Sequence, residues 1–538
     1  MKTVVKLTLV FLCMFAFQSC SEDEELVGEE QNTAPEINDQ SFTVAENIAD
    51  NEAIGIIEAT DVDGDNLNFT IGGPDATLFE INNDGVLSLE DNQQLDFETA
   101  TNHTLTITVS DGMTSAQATL SLTVIDVDDT SFITKWVTEF SNETITIITR
   151  ANEYTYNYTI DWGDGTIQSG RTGDVAHVYE TAGSHMISIR GDFPAIHMFP
   201  NDDGREQIRS VEQWGTIEWQ TMEEAFIAAE RLDINATDIP NLSQAESLRA
   251  MFAFVGELTV NSSINNWDVS TITDMGALFS ISSFNGDISN WDVSSVTNMG
   301  NMFNASSFNQ NISNWDVSNV INMSNMFNES DFNQDISGWN VNNVGNMTSM
   351  FRNSSFNQDI SDWDVVNVTD MSGMFNNSIF NKDISGWNVS NVTTMLSMFR
   401  NSVFNQDISG WNVSNVTIML SMFEDSSFDQ DISDWNVSNV TDMVDMFEDS
   451  LFNQNISEWN VNNVTRMLNM FANSQFNQDI SNWNVSEVVT MESMFENSPF
   501  NQDISSWNVV NVTECSNFSL DAPLAADNTP NFTNCDPN

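Results

Sequence analysis

From residue 263 onward the apolar positions recur in a fixed frame of 24 residues. Trp stands at 267, 291, 315, 339, 363, 387, 411, 435, 459, 483 and 507, with Ile three residues before and Val two residues after each. Met recurs from Met275 to Met491, and Cys515 then takes the column. Phe recurs from Phe279 to Phe495 and again from Phe284 to Phe500. Self-similarity at fixed period marks a repeat array, in which stacked neighbours bury the apolar face that one unit cannot bury alone. Within a unit, Trp291 and Val293 alternate as in a short strand with both side chains inward. Val296, Met299 and Phe303 follow at three or four residues, the spacing of a short helix. The pattern predicts an α/β parallel solenoid over residues 263–513, with like side chains stacked on like.

Upstream the period shortens to two. Runs such as "HTLTITVS" and "ATLSLTVIDV", separated by Gly, Asp and Asn turns, predict an all-β sandwich over residues 34–130. "ETITIIT", "YTYNYTIDWGDGT" and "HMISIRG" predict a second over 131–209. Residues 210–262 read as an N-terminal cap with degenerate units ("WQTMEEAF", "SLRAMF"), and 514–538 as a C-terminal cap. Residues 1–19 carry Lys2 and Lys6 ahead of an apolar run too short to span a bilayer, a secretory signal. The segment closes on "FQSC" and resembles a bacterial lipoprotein signal, which implies lipidation of Cys20 and an outer-membrane, surface-exposed location. The alternative is an ordinary cleaved signal. Residues 20–33 form an acidic tether. In an exported chain Cys515 and Cys535 are placed to form a disulfide, unless Cys515 merely fills its core column.

The formal net charge of -65 changes the list of partners. It excludes nucleic acid and adsorption to anionic lipid, both of which need a basic surface. It suits a soluble, salt-tolerant or divalent-cation-binding surface. Membrane association is then by lipid anchor only.

The acidic residues are organised. Glu46 lies in "VAEN", Asp61 and Asp63 in "ATDVDGDN", Asp96 and Glu98 in "LDFE", and Asp126, Asp128 and Asp129 in "DVDD". Strand-end loops of one sandwich can supply the six to eight oxygens that Ca²⁺ prefers; the plain alternative is acidic turns solvated by water. In this order the motifs resemble the cadherin repeat. The resemblance implies a lower Ca²⁺ cluster of Glu46, Asp96, Glu98, Asp126, Asp128 and Asp129, with Asp61 and Asp63 facing the preceding linker. Phe97 and Asp128 depart from the family pattern. "DWGDGT" with His177, Val178, Tyr179 and Gly183 resembles the polycystic-kidney-disease-type (PKD) module, which implies a spacer or adhesive role.

The 24-residue units share the L-x-x-L-x-L-x-x arrangement of leucine-rich repeats. Their "W-D-V-S-N-V-T-x-M-x-x-M-F" resembles the BspA-like leucine-rich-repeat surface proteins, which implies attachment to extracellular protein, glycan or neighbouring cells. The outward position between Trp and Val forms a ladder: Asp292, Asp316, Asn340, Asp364, Asn388, Asn412, Asn436, Asn460, Asn484 and Asn508. A second runs from Asp287 to Asp503. These are either turn formers bonded to backbone or a ligand-binding strand face. Four His and the lack of any G-x-S-x-G, phosphate-loop or H-E-x-x-H motif argue against an enzyme. The composite expectation is a calcium-binding adhesion lipoprotein that displays its repeats on a two-sandwich stalk. A polysaccharide-capture component and a purely structural coat are the alternatives.

Overall fold

The computed structural model describes residues 31–97, 99–198 and 204–538, in two compact units that divide between Asp128 and Asp129. The signal segment and Cys20 lie outside the described residues.

Alternating apolar residues build the first unit. Its strands are β1 (Glu36–Ile37), β2 (Gln40–Ala45), β3 (Gly55–Ile56), β4 (Ala59–Thr60), β5 (Asn68–Gly72), β6 (Phe79–Ile81), β7 (Val86–Leu89), β8 (Asn102–Ser110) and β9 (Ser115–Ile125). They form a four-stranded sheet β2-β9-β8-β5, a three-stranded sheet β3-β7-β6 and the pair β1-β4. Leu105, Ile107, Val109, Leu120 and Leu122 from the first sheet bury against Phe79, Leu87 and Leu89 from the second. β2 runs parallel to β9, so Glu46 and Asp126 leave their strands side by side.

The second unit opens with β10 (Phe132–Thr138), β11 (Glu143–Ile147), β12 (Asn157–Asp161), β13 (Ile167–Arg171), β14 (Val175–Tyr179), β15 (Gly183–Asp192), the four-residue helix α1 (Gly204–Gln207), β16 (Ile208–Gln213) and β17 (Asp233–Ile234). Six strands form one sheet, β13-β12-β15-β10-β16-β17, opposite the pair β11-β14. β16 crosses the sequence position where the sandwich was expected to end. Its parallel partner β17 bridges in turn to Val260, so the sheet passes directly into the repeats. A single apolar core runs from Phe132 to Phe518.

The repeats correct the sequence expectation. The regular structure of the chain is nearly all β, and no α/β leucine-rich-repeat solenoid is present: described residues 263–513 contain neither an α-helix nor a named strand. Neighbouring units share one isolated parallel bridge each, from Asp274↔Asn298 to Thr490↔Glu514. The physical reason lies in where the main-chain N–H groups go. In the stretch expected to be helical, the N–H groups of Met395, Ser397, Phe399 and Asn401 donate to Ile418, Leu420, Met422 and Glu424 of the next unit, at 2.7–3.1 Å. A helix would have turned them back on itself. Ser397 and Asn401 sit at φ 53 and 49, a left-handed geometry that short polar side chains tolerate. In the stretch expected to be a strand, Trp411 N–H donates to Ile408 and Val416 N–H to Val413, each closing a turn.

The columns themselves are buried as stacked rings. Phe375, Phe399 and Phe423 follow at centroid spacings of 5.7–5.8 Å, and Phe380, Phe404 and Phe428 at 6.3 Å. Each indole N–H from Trp291 to Trp507 donates to the Ile carbonyl of the preceding unit, as in Trp411 to Ile384 at 3.1 Å. A half-buried Asn column follows the second Phe. Asn381 Oδ1 accepts Asn405 N–H at 2.9 Å and Gln406 Nε2 at 3.0 Å; Asn405 Oδ1 does the same for Asp429 and Gln430. A Cys515–Cys535 disulfide closes 20 residues over the last unit, a constraint of about 3 kcal/mol in the loop-entropy picture.

Replacing Asn405 by Ala strands one main-chain N–H and one amide, and is expected to cost about 1–3 kcal/mol. Asn412→Ala, on the exposed ladder, is expected to cost about 0.5 kcal/mol. Urea unfolding of both variants checks the contrast.

Candidate functional site

The acidic residues of the first unit sit at opposite ends of its sheet. At one end Asp63 Oδ2 accepts Thr33 N–H at 2.6 Å, beside the turn where Asn32 Nδ2 donates to Asp111. Asp61 Oδ1 accepts Asp63 N–H at 2.8 Å, while its Oδ2 is buried without a partner. At the other end Glu46, 6% exposed, accepts Phe97 N–H and Val127 N–H, both at 2.6 Å. Asp96 closes its own turn on Thr99. Asp126 and Asp128 follow β9 at this end, Glu98 lies outside the described residues, and Asp129 opens the second unit. Glu46 thus ties the main chain at Phe97 to that at Val127. As arranged, no three described members of this set bring ligand atoms within 4.8 Å of one another.

In the second unit "WGDGT" makes a tight turn. Gly163, at φ 76, leaves room for Met186 O only because it has no Cβ, which would lie 2.3 Å from that oxygen. Asp164 joins His177 Nε2 at 2.7 Å, and the ring of His177 stacks on Trp162 and meets Tyr179 edge-on. Tyr179 Oη donates to Trp162 O at 2.7 Å. His177 is therefore a packing element, bonded on one side and covered by rings on two others.

On the repeats, all ten ladder residues from Asp292 to Asn508 are exposed, and each accepts the N–H two residues on at 3.0–3.4 Å. They are turn formers. The second ladder behaves alike. The N–H and hydroxyl of the Ser two residues on hold Asp335, Asp359, Asp383, Asp407, Asp431 and Asp479 below the usual carboxylate range. These bonds relieve the repulsion expected between stacked carboxylates. The buried-side Asn column escaped sequence reasoning, although the recurring Asn-Gln after Phe was visible from Asn309 onward.

The family described as "Mycoplasma protein of unknown function, DUF285" matches residues 246–356, 327–428, 351–451 and 426–532. Together these cover more than half of the chain. The chain belongs to the DUF285 family. No curated protein matches it. Solved structures similar to part of it include human protocadherin-24 EC1-2 Form II, 26% identical over 21% of this chain and 51% of that one, with TM-score 0.17. Human mucin-like protocadherin EC1-2 is 27% identical over 18% and 55%, with TM-score 0.17. Drosophila N-cadherin EC1-4 is 17% identical over 29% and 48%, with TM-score 0.19. This chain spans about half the length of each.

One acidic group within the DUF285 units is set apart by its surroundings. Glu424, Asp445 and Glu448 place one carboxylate oxygen each within 4.8 Å of the others. Arg400 donates to Glu424 at 2.6 Å. Burial, then the Asp445 and Glu424 charges, pushes Glu448 up to about 7; Asp445 is raised too, by burial first. A carboxyl raised in the folded state holds its proton more tightly there. Its contribution is complete below the ordinary Glu value and is lost as pH rises through about 7. Glu448→Gln is expected to unfold later than the parent at pH ~8, by about 1 kcal/mol after solvent screening, and to match it at pH ~4. Thermal unfolding across pH checks this.

Proposed function

We propose that this DUF285 protein is a surface adhesin. In this reading it is exported, anchored through lipid on Cys20 in an outer membrane, and binds extracellular protein, glycan or neighbouring cells through its repeats. The carrying observation is the division of labour within each unit: the apolar columns are buried, while exposed Asp, Asn, Ser and Thr recur in register outside. Such a surface presents many weak, identical hydrogen-bonding positions and gains strength by multivalency. No helix among the described residues is long and apolar enough to cross a membrane. The reading assigns the chain no catalysis.

Calcium is proposed to bind the first unit through Asp61 and Asp63 at one end and Glu46, Asp96, Asp126 and Asp128 at the other, with Glu98 as a further expected ligand outside the described residues. The unpartnered Asp61 oxygen supports the first end. At the second, ion binding requires Glu46 to exchange its backbone donors for the metal. The PKD-like reading of residues 131–209 remains part of the proposal as a spacer.

Polysaccharide capture is a second reading, favoured by an open cleft of about 650 Å³ beside the end of β15. Exposed Arg190, Asp192, Glu218 and Gln220 surround a floor that includes Phe193 and Ile217. That mix of donors and acceptors over apolar carbon suits a sugar ring.

Binding of the purified protein to protein, cell and glycan arrays, with and without chelator, separates the readings. Broad, chelator-sensitive binding is expected for the adhesin. Narrow binding to one polysaccharide, lost in Arg190→Ala, supports capture instead. Chelation is also expected to lower the unfolding temperature of the first unit; an unchanged transition contradicts the calcium proposal.

A further inference from the structure

One face of the repeats departs from the polar pattern. Leu396 and Leu420 occupy a position that holds Gly276, Gly300, Ser324, Thr348 and Ser372 in earlier units. Leu396 is 37% exposed; Leu420 and the neighbouring Ile418 are half-buried. These residues do not serve their own core, whose Met and Phe columns lie at the intervening positions. The columns on either side carry the cations. Arg352 and Arg400 share a column with Glu424, Glu448 and Glu496, while Asp370 and Arg466 share the column of Ile418.

Three pairs of opposite charges in these columns stand antisymmetrically about one unit, which has Glu424 at its own centre and Asp442 opposite Thr394. Arg352 stands three units before Glu424 and Glu496 three units after it. Arg400 stands one unit before and Glu448 one unit after. Asp370 stands two units before Ile418 and Arg466 two units after. Leu420 is flanked by exposed Leu396 on one side and by Val444, which is buried, on the other. A two-fold axis lying in this face, perpendicular to the stacking direction, reverses the order of units and leaves each column opposite itself. Two copies related by it place Arg352 against Glu496, Arg400 against Glu448 and Asp370 against Arg466, each twice. Ile418, Leu420 and Glu424 then meet their own copies at the centre, each Glu424 holding its own Arg400.

We propose that this face is a self-complementary surface that pairs two copies of the chain antiparallel, centred on Ile418 and Leu420. An apolar centre within a charged rim is the common anatomy of protein interfaces, and an isologous contact closes on itself. The strip from Arg352 to Glu496 is about 30 Å long at ordinary strand spacing. Arg352 is exposed and has no ion pair among the described residues, whereas Arg400 and Arg466 are bonded to Glu424 and Asp442 of neighbouring units. Glu448 faces Asp445 and Glu424, whose one cation, Arg400, is bonded to Glu424. A second copy supplies another Arg400. The proposal does not depend on what the adhesin binds, because it concerns the chain alone.

Sedimentation velocity of the full-length protein tests it, at about 0.15 M salt so that the net charge is screened beyond about 8 Å. The parent is expected to show a reversible monomer–dimer equilibrium below about 100 μM. The double variant Arg352→Glu/Arg466→Glu and the double variant Asp370→Arg/Glu496→Arg are each expected to weaken it at least about tenfold. Mixed together, the two variants restore every opposite pairing and are expected to associate as the parent does, which also shows that both are folded. The proposal is overturned by a parent that stays monomeric over this range. It is also overturned by either variant pairing with itself as the parent does, or by a mixture no more associated than its components.

Discussion

The structure depends on register between units. Each main-chain N–H along Met395–Asn401 that points out of its own turn is satisfied only if the next unit presents a carbonyl at the same height. The side chains impose the same condition. A Trp that stacks at 6.5 Å on the next Trp, and donates its indole N–H to an Ile carbonyl one unit back, cannot slip by one residue without losing both contacts. This requirement accounts for the near-identity of the units: a residue changed in one column disturbs the unit above and the unit below.

Such an array needs ends, and the two ends differ. At the start, β16 and β17 offer a parallel edge that the first units continue. There Trp267 packs edge-on against Trp214, and its indole N–H has no partner, because no Ile carbonyl precedes it in register. At the finish, Phe518 turns edge-on to Phe495, and Leu524 and Phe532 cover the exposed rings. The Cys515–Cys535 disulfide holds that cover in place. Terminal units with an atypical outer face are what a one-dimensional core requires.

Much of this was legible. The periods of Trp, Ile, Val, Met and Phe identify the buried columns residue by residue, because burial depends on side-chain chemistry. The alternation in "HTLTITVS" marks β8 for the same reason. The backbone path was not legible. Spacings of three and four in Val296, Met299 and Phe303 fit a helix, but they fit equally a chain of turns whose N–H groups leave the unit. Left-handed Asn, Asp and Ser distinguish the two, and their side chains look like ordinary surface polarity in a sequence. The Asn285-to-Asn501 column was missed for a related reason: its amides are half-buried ladder acceptors, whereas those of the Asn388-to-Asn508 positions close exposed turns. In the first unit the acidic motifs were found, but which of their oxygens already serve backbone donors, as both of Glu46 do, could be learned only from the fold.

Hydrogen exchange at the indole N–H groups tests the register most directly. Ten of them, from Trp291 to Trp507, donate to Ile carbonyls in the preceding unit, whereas that of Trp267 does not. Slow, closely similar exchange of those ten, lost together when the repeats unfold, is the predicted result. Fast exchange of indoles in the middle of the array, around Trp387 and Trp411, would contradict the account.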